Sequence, residues 1–254
     1  MRKTIGMICV VLTLAGGASR AGQDAVSADP EAARLAGFLE KGNASYGRLK
    51  DYRAVFVKRE TSDGVVGEEE KIFLRFEKPF KIFMKWLNTE KKGLQVMYER
   101  GRHKGKLLIH KPGILFRLAP VIALDPSSPW VRQGSASYDI EDAGIGTFLE
   151  DFTKAVAHSE RSGNLRVKWL EENISDVTFL KSQKDAIYFA QRVRVGFDER
   201  TALPVSMSLF DWEDRLIGTY EYHELSLNTG PDPAFKKEID RHLLKIYAAS
   251  KKTG

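Results

Sequence analysis

The sequence predicts a mainly β, α+β fold: one long, twisted antiparallel sheet with two or three helices lying on it. Three observations carry that expectation. Short segments alternating apolar and polar residues recur from Tyr52 to Tyr222, separated by turns rich in Gly, Asp and Ser, which is the signature of antiparallel strands. Only three stretches carry an apolar stripe at helical spacing instead. The 254 residues are 43% hydrophobic and 29% charged, close to the globular average, so a fibrous or wholly disordered chain is excluded.

Asp29-Pro30-Glu31 starts the first helix. Asp suits the N-cap, Pro the first helical position, and the acid the positive end of the helix dipole. Leu35, Phe38 and Leu39 form its stripe, and Gly42 and Gly47 are expected to weaken it. From Tyr52 the period becomes two. A strand begins at Ala54–Val57, Ser62-Asp63-Gly64 turns, and Lys71–Phe76 returns. Pro79 closes a corner and Phe80–Leu87 alternates again. Leu94–Tyr98, Lys106–His110 and Ile114–Leu118 follow as short strands, then a loop at Asp125–Pro129. Ile145, Phe148, Leu149, Phe152 and Val156 recur at helical spacing, which places an amphipathic helix over 144–158. Strands resume at Leu165–Leu170, Val177–Leu180, Ala186–Phe197, Val205–Phe210 and Leu216–Tyr222, with turns at Asp198–Thr201 and Asp211–Asp214. Phe235, Ile239, Leu243 and Ile246 form a helical stripe after Pro233. No repeat, low-complexity tract or linker interrupts the chain, so 22–235 reads as one domain with a helical tail at 236–254.

Residues 1–21 have the form of a secretory signal peptide. Arg2 and Lys3 precede an apolar run from Ile5 to Ala15, and Ser19 and Ala21 supply small residues ahead of Gly22. Eleven apolar residues are too few to span a hydrocarbon core of about 30 Å, which needs about 20. Cys9 is the single cysteine and lies inside that run. The exported chain is thus expected to be soluble, periplasmic and free of thiols, which excludes thiol catalysis, thiolate metal sites and disulfides. Without Arg2, Lys3 and Arg20 the chain holds 37 basic and 34 acidic residues. A net charge of +3 is too small to imply nucleic-acid binding.

The apolar strand faces are large. Ile72, Leu74, Phe76, Phe80, Ile82, Met84, Trp86, Val96 and Tyr98 fall on one side of neighbouring strands, and Met207, Leu209 and Tyr220 extend that side if the later strands join it. Two arrangements fit: a core filled by side chains, or a partial barrel whose unfilled interior holds an apolar ligand.

Particular runs resemble a known family. Tyr52–Lys58, Leu74–Phe80 with Met84–Leu87, Gly93-Leu94 and Gly105–Leu108 look like the bacterial domain-of-unknown-function family 1571. Phe197-Asp198, Leu203–Met207, Tyr220–Tyr222, Leu227-Asn228 and Phe235 are similar to the closing hairpins of LolA/LppX-like periplasmic lipid carriers. The resemblance covers roughly residues 46–236. It implies a curved antiparallel half-barrel, lidded by helices, whose concave face holds acyl chains. On that reading Leu74, Phe76, Ile82, Met84, Trp86, Val96, Met207, Leu209 and Tyr220 line the lipid site. The alternative is an envelope regulatory or scaffolding module, RseB-like, that binds a protein partner, with the tail from Phe235 to Tyr247 as docking element. Extra strands before the middle helix and the helical tail depart from the LolA pattern.

Catalytic chemistry finds little support. The five histidines, at 103, 110, 158, 223 and 242, form no metal-binding pair at i, i+4. Gly-x-Ser-x-Gly and Ser-x-x-Lys are absent, so serine hydrolase chemistry has no motif. Gly101–Lys106 has the wrong glycine spacing for a phosphate loop, with Leu107 where a hydroxyl residue binds Mg²⁺. Asp139, Glu141 and Asp142 precede the middle helix, where its dipole accounts for them. The expectation is no enzyme, no cofactor and no metal. One basic feature stands out. Lys71, Arg75, Lys78, Lys81 and Lys85, with Phe73 and Phe83 interleaved, lie on or beside the polar faces of two strands. They suit either a charged outer sheet face or a dock for anionic membrane headgroups.

Overall fold

A computed structural model of the protein describes residues 29–62, 64–110, 121–128, 140, 143–180 and 187–230. The signal segment 1–21, the strand expected at Ile114–Leu118, the acids Asp139, Glu141 and Asp142, and the helical tail from Phe235 lie outside the described residues.

Helix α1 spans Pro30–Arg48, and Asp29 Oδ1 accepts from the Glu31 amide at 3.0 Å, as the N-cap pattern requires. The helix runs through both glycines rather than weakening at them. A Cβ at Gly42 would stand 2.6 Å from the Ala202 carbonyl oxygen, so its missing side chain lets the helix approach the turn between the strands Arg192–Phe197 and Pro204–Phe210. Helix α2 spans Ile145–Arg161 and buries Ile145, Leu149, Phe152, Ala155 and Val156 on one stripe.

The strands are β1 (Asp51–Ser62), β2 (Val65–Val66), β3 (Glu70–Glu77), β4 (Lys81–Trp86), β5 (Gln95–Glu99), β6 (Leu107–His110), β7 (Ile122–Leu124), β8 (Leu165–Trp169), β9 (Ile174–Phe179), β10 (Arg192–Phe197), β11 (Pro204–Phe210) and β12 (Leu216–Leu227). They form one curved, open antiparallel sheet in the order β7-β6-β5-β4-β3-β1-β12-β11-β10-β9-β8, with β2 paired to β1 off that path. The expected half-barrel of the α+β class is present. Its logic is two meanders joined at the centre. The β1–β12 ladder runs from Tyr52↔Leu227 to Glu60↔Gly218, across the two longest strands, of 12 residues each. Twelve residues at about 3.3 Å each make these strands roughly 40 Å long.

Sequence reading missed β2 and β7, which hold two and three residues, too few to show a period. It also began β10 too early. Residues 187–190 lie outside the ladder, which Gln191 rejoins through bonds to Phe179 and Phe210, and Tyr188 and Ala190 turn into the core. There the Tyr188 hydroxyl meets Ser159 Oγ of α2 at 2.7 Å and its ring packs 4.8 Å from Phe179.

The side chains on the inner face join the stripes of α1 and α2 in one continuous core. The helices lie chiefly over β8 and β11. A second, smaller cluster of Phe83, Met97, Leu108 and Val121 sits on the outer face. Phe83 is therefore buried, not interleaved with basic residues at a solvated surface. Among the described residues no helix is long and apolar enough to cross a membrane.

Candidate functional site

Because alternate residues of a strand share a face, the register fixes what the inner face presents. Tyr52↔Phe76, Ala54↔Leu74, Phe56↔Ile72 and Lys58↔Glu70 step along β1 and β3. Phe76↔Ile82, Leu74↔Met84 and Ile72↔Trp86 carry the rows to β4, and Met84↔Val96 to β5. Across β12, Phe56↔Tyr222 and Lys58↔Tyr220 extend them, and Met207↔Tyr220 and Leu209↔Gly218 reach β11. All nine apolar residues singled out from the sequence thus meet on one face. Leu74, Phe76, Ile82, Met84, Val96, Met207 and Leu209 are buried, whereas Trp86 and Tyr220 are half-buried.

The face is graded from one end to the other. At the closed end Tyr52 stacks on Phe76 at 5.2 Å, Phe80 packs edge-on against Phe76, and the Tyr52 hydroxyl accepts from the Ile145 amide at 3.1 Å. That bond anchors the start of α2, whose N-cap Gly144 offers no side-chain acceptor. Burial pushes the Tyr52 phenol well above its ordinary value of 10.0, and Tyr222 is raised for the same reason. Toward the other end Phe56, Trp86, Leu94, Ile109 and Tyr220 are only partly covered.

That open end is closed by charge. Lys58 Nζ lies 2.7 Å from Glu60 Oε2 and 3.9 Å from Glu70 Oε2. Lys91 pairs with Glu70 Oε1, and Trp86 Nε1 donates to Glu70 Oε2 at 2.7 Å. Tyr220 donates to Glu60 Oε1 at 3.2 Å. Burial raises the Glu70 carboxyl, but bonds from Lys91 and Trp86 and the Lys58 charge outweigh it and leave it below its ordinary value. Sequence reading missed this rim. The signal was available in phase: Lys58 and Glu60 fall in step with Tyr52, Ala54 and Phe56, and Glu70 with Ile72, Leu74 and Phe76.

The basic stripe is on the opposite, outer face, and it is not a free cationic surface. Arg75 has a side chain 4% exposed, donates to Glu77 and to the Gly230 carbonyl, and so presents no charge to a membrane. Lys81 pairs with Glu77 at 3.4 Å and Lys71 with Glu69 at 3.5 Å. Lys78 turns away to the Tyr46 carbonyl and ring. Lys85 is half-buried. A groove of about 730 Å³ opens on this outer face, lined by Val55, Val57, Arg59, Lys71, Glu221 and His223. His223 Nε2 lies 2.7 Å from Glu221. Among the described residues no three His, Cys, Asp or Glu side chains stand together as a metal site.

Comparison with known proteins bears on the family. Solved structures similar to the chain include the MucA/MucB complex of Pseudomonas aeruginosa, at 14% identity and TM-score 0.42, over 80% of this chain and 60% of that one. A LolA superfamily protein from Nitrosomonas europaea matches at 11% identity and TM-score 0.35, over 79% of this chain and 96% of that one. The Mycobacterium tuberculosis lipoprotein LppX matches at 10% identity and TM-score 0.40, over 79% and 98%. The chain thus spans about three fifths of the MucA/MucB complex chain that it matches. No curated protein matches it. The model of the family described as "Protein of unknown function (DUF1571)" matches residues 49–238, in line with the resemblance of Tyr52–Leu108, and the chain belongs to that family.

Proposed function

We propose that this protein is an exported, periplasmic lipid-binding protein, a carrier and not an enzyme, that takes acyl chains against the inner face of its half-barrel. One observation supports this above the others: the inner face is a continuous apolar surface across the sheet, graded from buried aromatics at Tyr52 and Phe76 to the half-covered Phe56, Trp86 and Tyr220. A single-chain lipid has the same gradient. The side chains pack against one another, so a chain enters at the Trp86 end by displacing them, and Met84 and Met207 have the flexible side chains such repacking needs. Each buried CH₂ is worth about 0.8 kcal/mol, so a 16-carbon chain represents roughly 12 kcal/mol of gross transfer before ordering costs.

Purified protein extracted with organic solvent is expected to release lipid detectable by mass spectrometry, and a fluorescent fatty acid is expected to brighten on binding. Protein that releases no lipid and gives no fluorescence change is not a carrier. The second reading, an envelope module docking a protein partner, is favoured by the outer groove and by Val55 and Val57, which line it. Deleting 236–254 separates the two: loss of a purified partner with lipid binding intact supports the module.

A further inference from the structure

We propose that the Lys58–Glu60–Glu70–Lys91 quartet is the headgroup site for a zwitterionic phospholipid, whose ammonium lies between the two carboxylates and whose phosphate meets the two lysines. The inference rests on the acyl-chain reading of the inner face. Three features of the quartet support it.

The first is place. Lys58, Glu60 and Glu70 project from the same face as Phe56 and Ile72, one and two register steps beyond them. A lipid tail lying along the apolar rows would bring its polar end there.

The second is cost. Side-chain exposure is 11% for Lys58, 17% for Glu60, 14% for Glu70 and 27% for Lys91. Withdrawing four charges this far from water is expensive, and apolar residues of similar volume commonly serve stability as well or better. The quartet is therefore weakly explained as a stabilising device for a face that is otherwise apolar.

The third is charge balance. Two carboxylates and two ammonium groups sum to zero. A phosphoethanolamine group can exchange with the internal pairs bond for bond and leave the site neutral. An anionic headgroup adds an uncompensated charge in a region of reduced dielectric. Trp86 Nε1 and the Tyr220 hydroxyl hold the carboxylates from the apolar side, which keeps the acceptors aimed at the rim.

The test uses three ligands with the same 16-carbon chain: lysophosphatidylethanolamine, lysophosphatidylglycerol and palmitate, each displacing a fluorescent fatty acid from the full chain. The zwitterionic ligand is expected to bind about 10-fold tighter than the glycerol one, a difference of about 1.4 kcal/mol. The double substitution Glu60→Gln/Glu70→Gln leaves two lysines and is expected to reverse that preference while palmitate still binds. The single Glu60→Gln, which disturbs fewer bonds, is expected to narrow the ratio if the double variant fails to fold. Equal affinity for the two lysophospholipids, or a ratio unmoved by these substitutions, overturns the headgroup site but leaves the acyl reading standing. Failure of all three ligands to bind overturns both. Free phosphoethanolamine competing as well as its lysolipid would assign the quartet to a soluble zwitterion and overturn the lipid assignment.

Discussion

Replacing Tyr52 by Phe removes one buried oxygen and leaves the ring stacked on Phe76. That oxygen accepts from the Ile145 amide at 3.1 Å. Helix α2 has no other side-chain cap, because its N-cap is Gly144, held at φ 113° with no side chain to offer. Ile145 is 0% and Tyr52 1% exposed, so water cannot take the hydroxyl's place. A buried donor left without a partner costs about 1–3 kcal/mol, partly offset because Phe needs no desolvation of its own hydroxyl. The expected net loss is about 1–2 kcal/mol, or a fall in Tm of roughly 2–8 °C for a domain of this size. Urea unfolding of wild type and variant measures it, and hydrogen exchange at the Ile145 amide should quicken. A change below about 0.5 kcal/mol with unaltered exchange would refute the idea that β1 caps α2.

Further outcomes follow from other sites. Gly42→Ala drives a Cβ to 2.6 Å from a backbone carbonyl and is expected to cost about 1–3 kcal/mol, whereas Gly37→Ala, exposed in the same helix with nothing within 4 Å, should gain about 0.5–1 kcal/mol. Chemical denaturation of the pair reads the contrast directly. Leu74→Ala is expected to cost about 2–5 kcal/mol if the inner face is filled as packed here; a loss near 1 kcal/mol would indicate an unfilled bowl. The pH profile should fall on both sides. Tyr52 and Tyr222 have raised values, so their contribution is intact below about pH 10 and is lost as pH rises beyond it. Glu70 has a lowered value, so its contribution is present above its ordinary 4.5 and is lost as pH falls through the folded value. Thermal melts from pH 2 to 11 test both limbs, and Tyr222→Phe should flatten the alkaline one.

The element pattern was legible in the sequence because it depends on local chemistry. Asp29-Pro30 starts a helix by capping and a preset φ, and alternation from Tyr52 onward groups Ile72, Leu74 and Phe76 on one face of their segment, and Ile82 and Met84 on one face of theirs, without knowledge of any partner strand. The hairpin turns at Asp198 and Asp211 are equally local: each carboxylate accepts from amides a few residues ahead. Even the charged rim was written in phase at Lys58, Glu60 and Glu70, though an ion pair inside an apolar row reads as an exposed surface until its cross-strand partners are known.

What only the tertiary structure decided is which strands meet. The pairing of β1 with β12 brings Lys58 beside Tyr220, 162 positions later, and no local signal encodes contact at that separation. The same pairing puts Arg75 under the Gly230 carbonyl and so takes that one charge of the basic stripe out of solvent. Tyr188 stands outside the ladder where Ser159 of α2 meets its hydroxyl in the core, a competition between ladder and core that a periodic pattern cannot weigh. Strand phase is a property of neighbouring residues, whereas register, burial and charge pairing arise only when distant segments share one sheet.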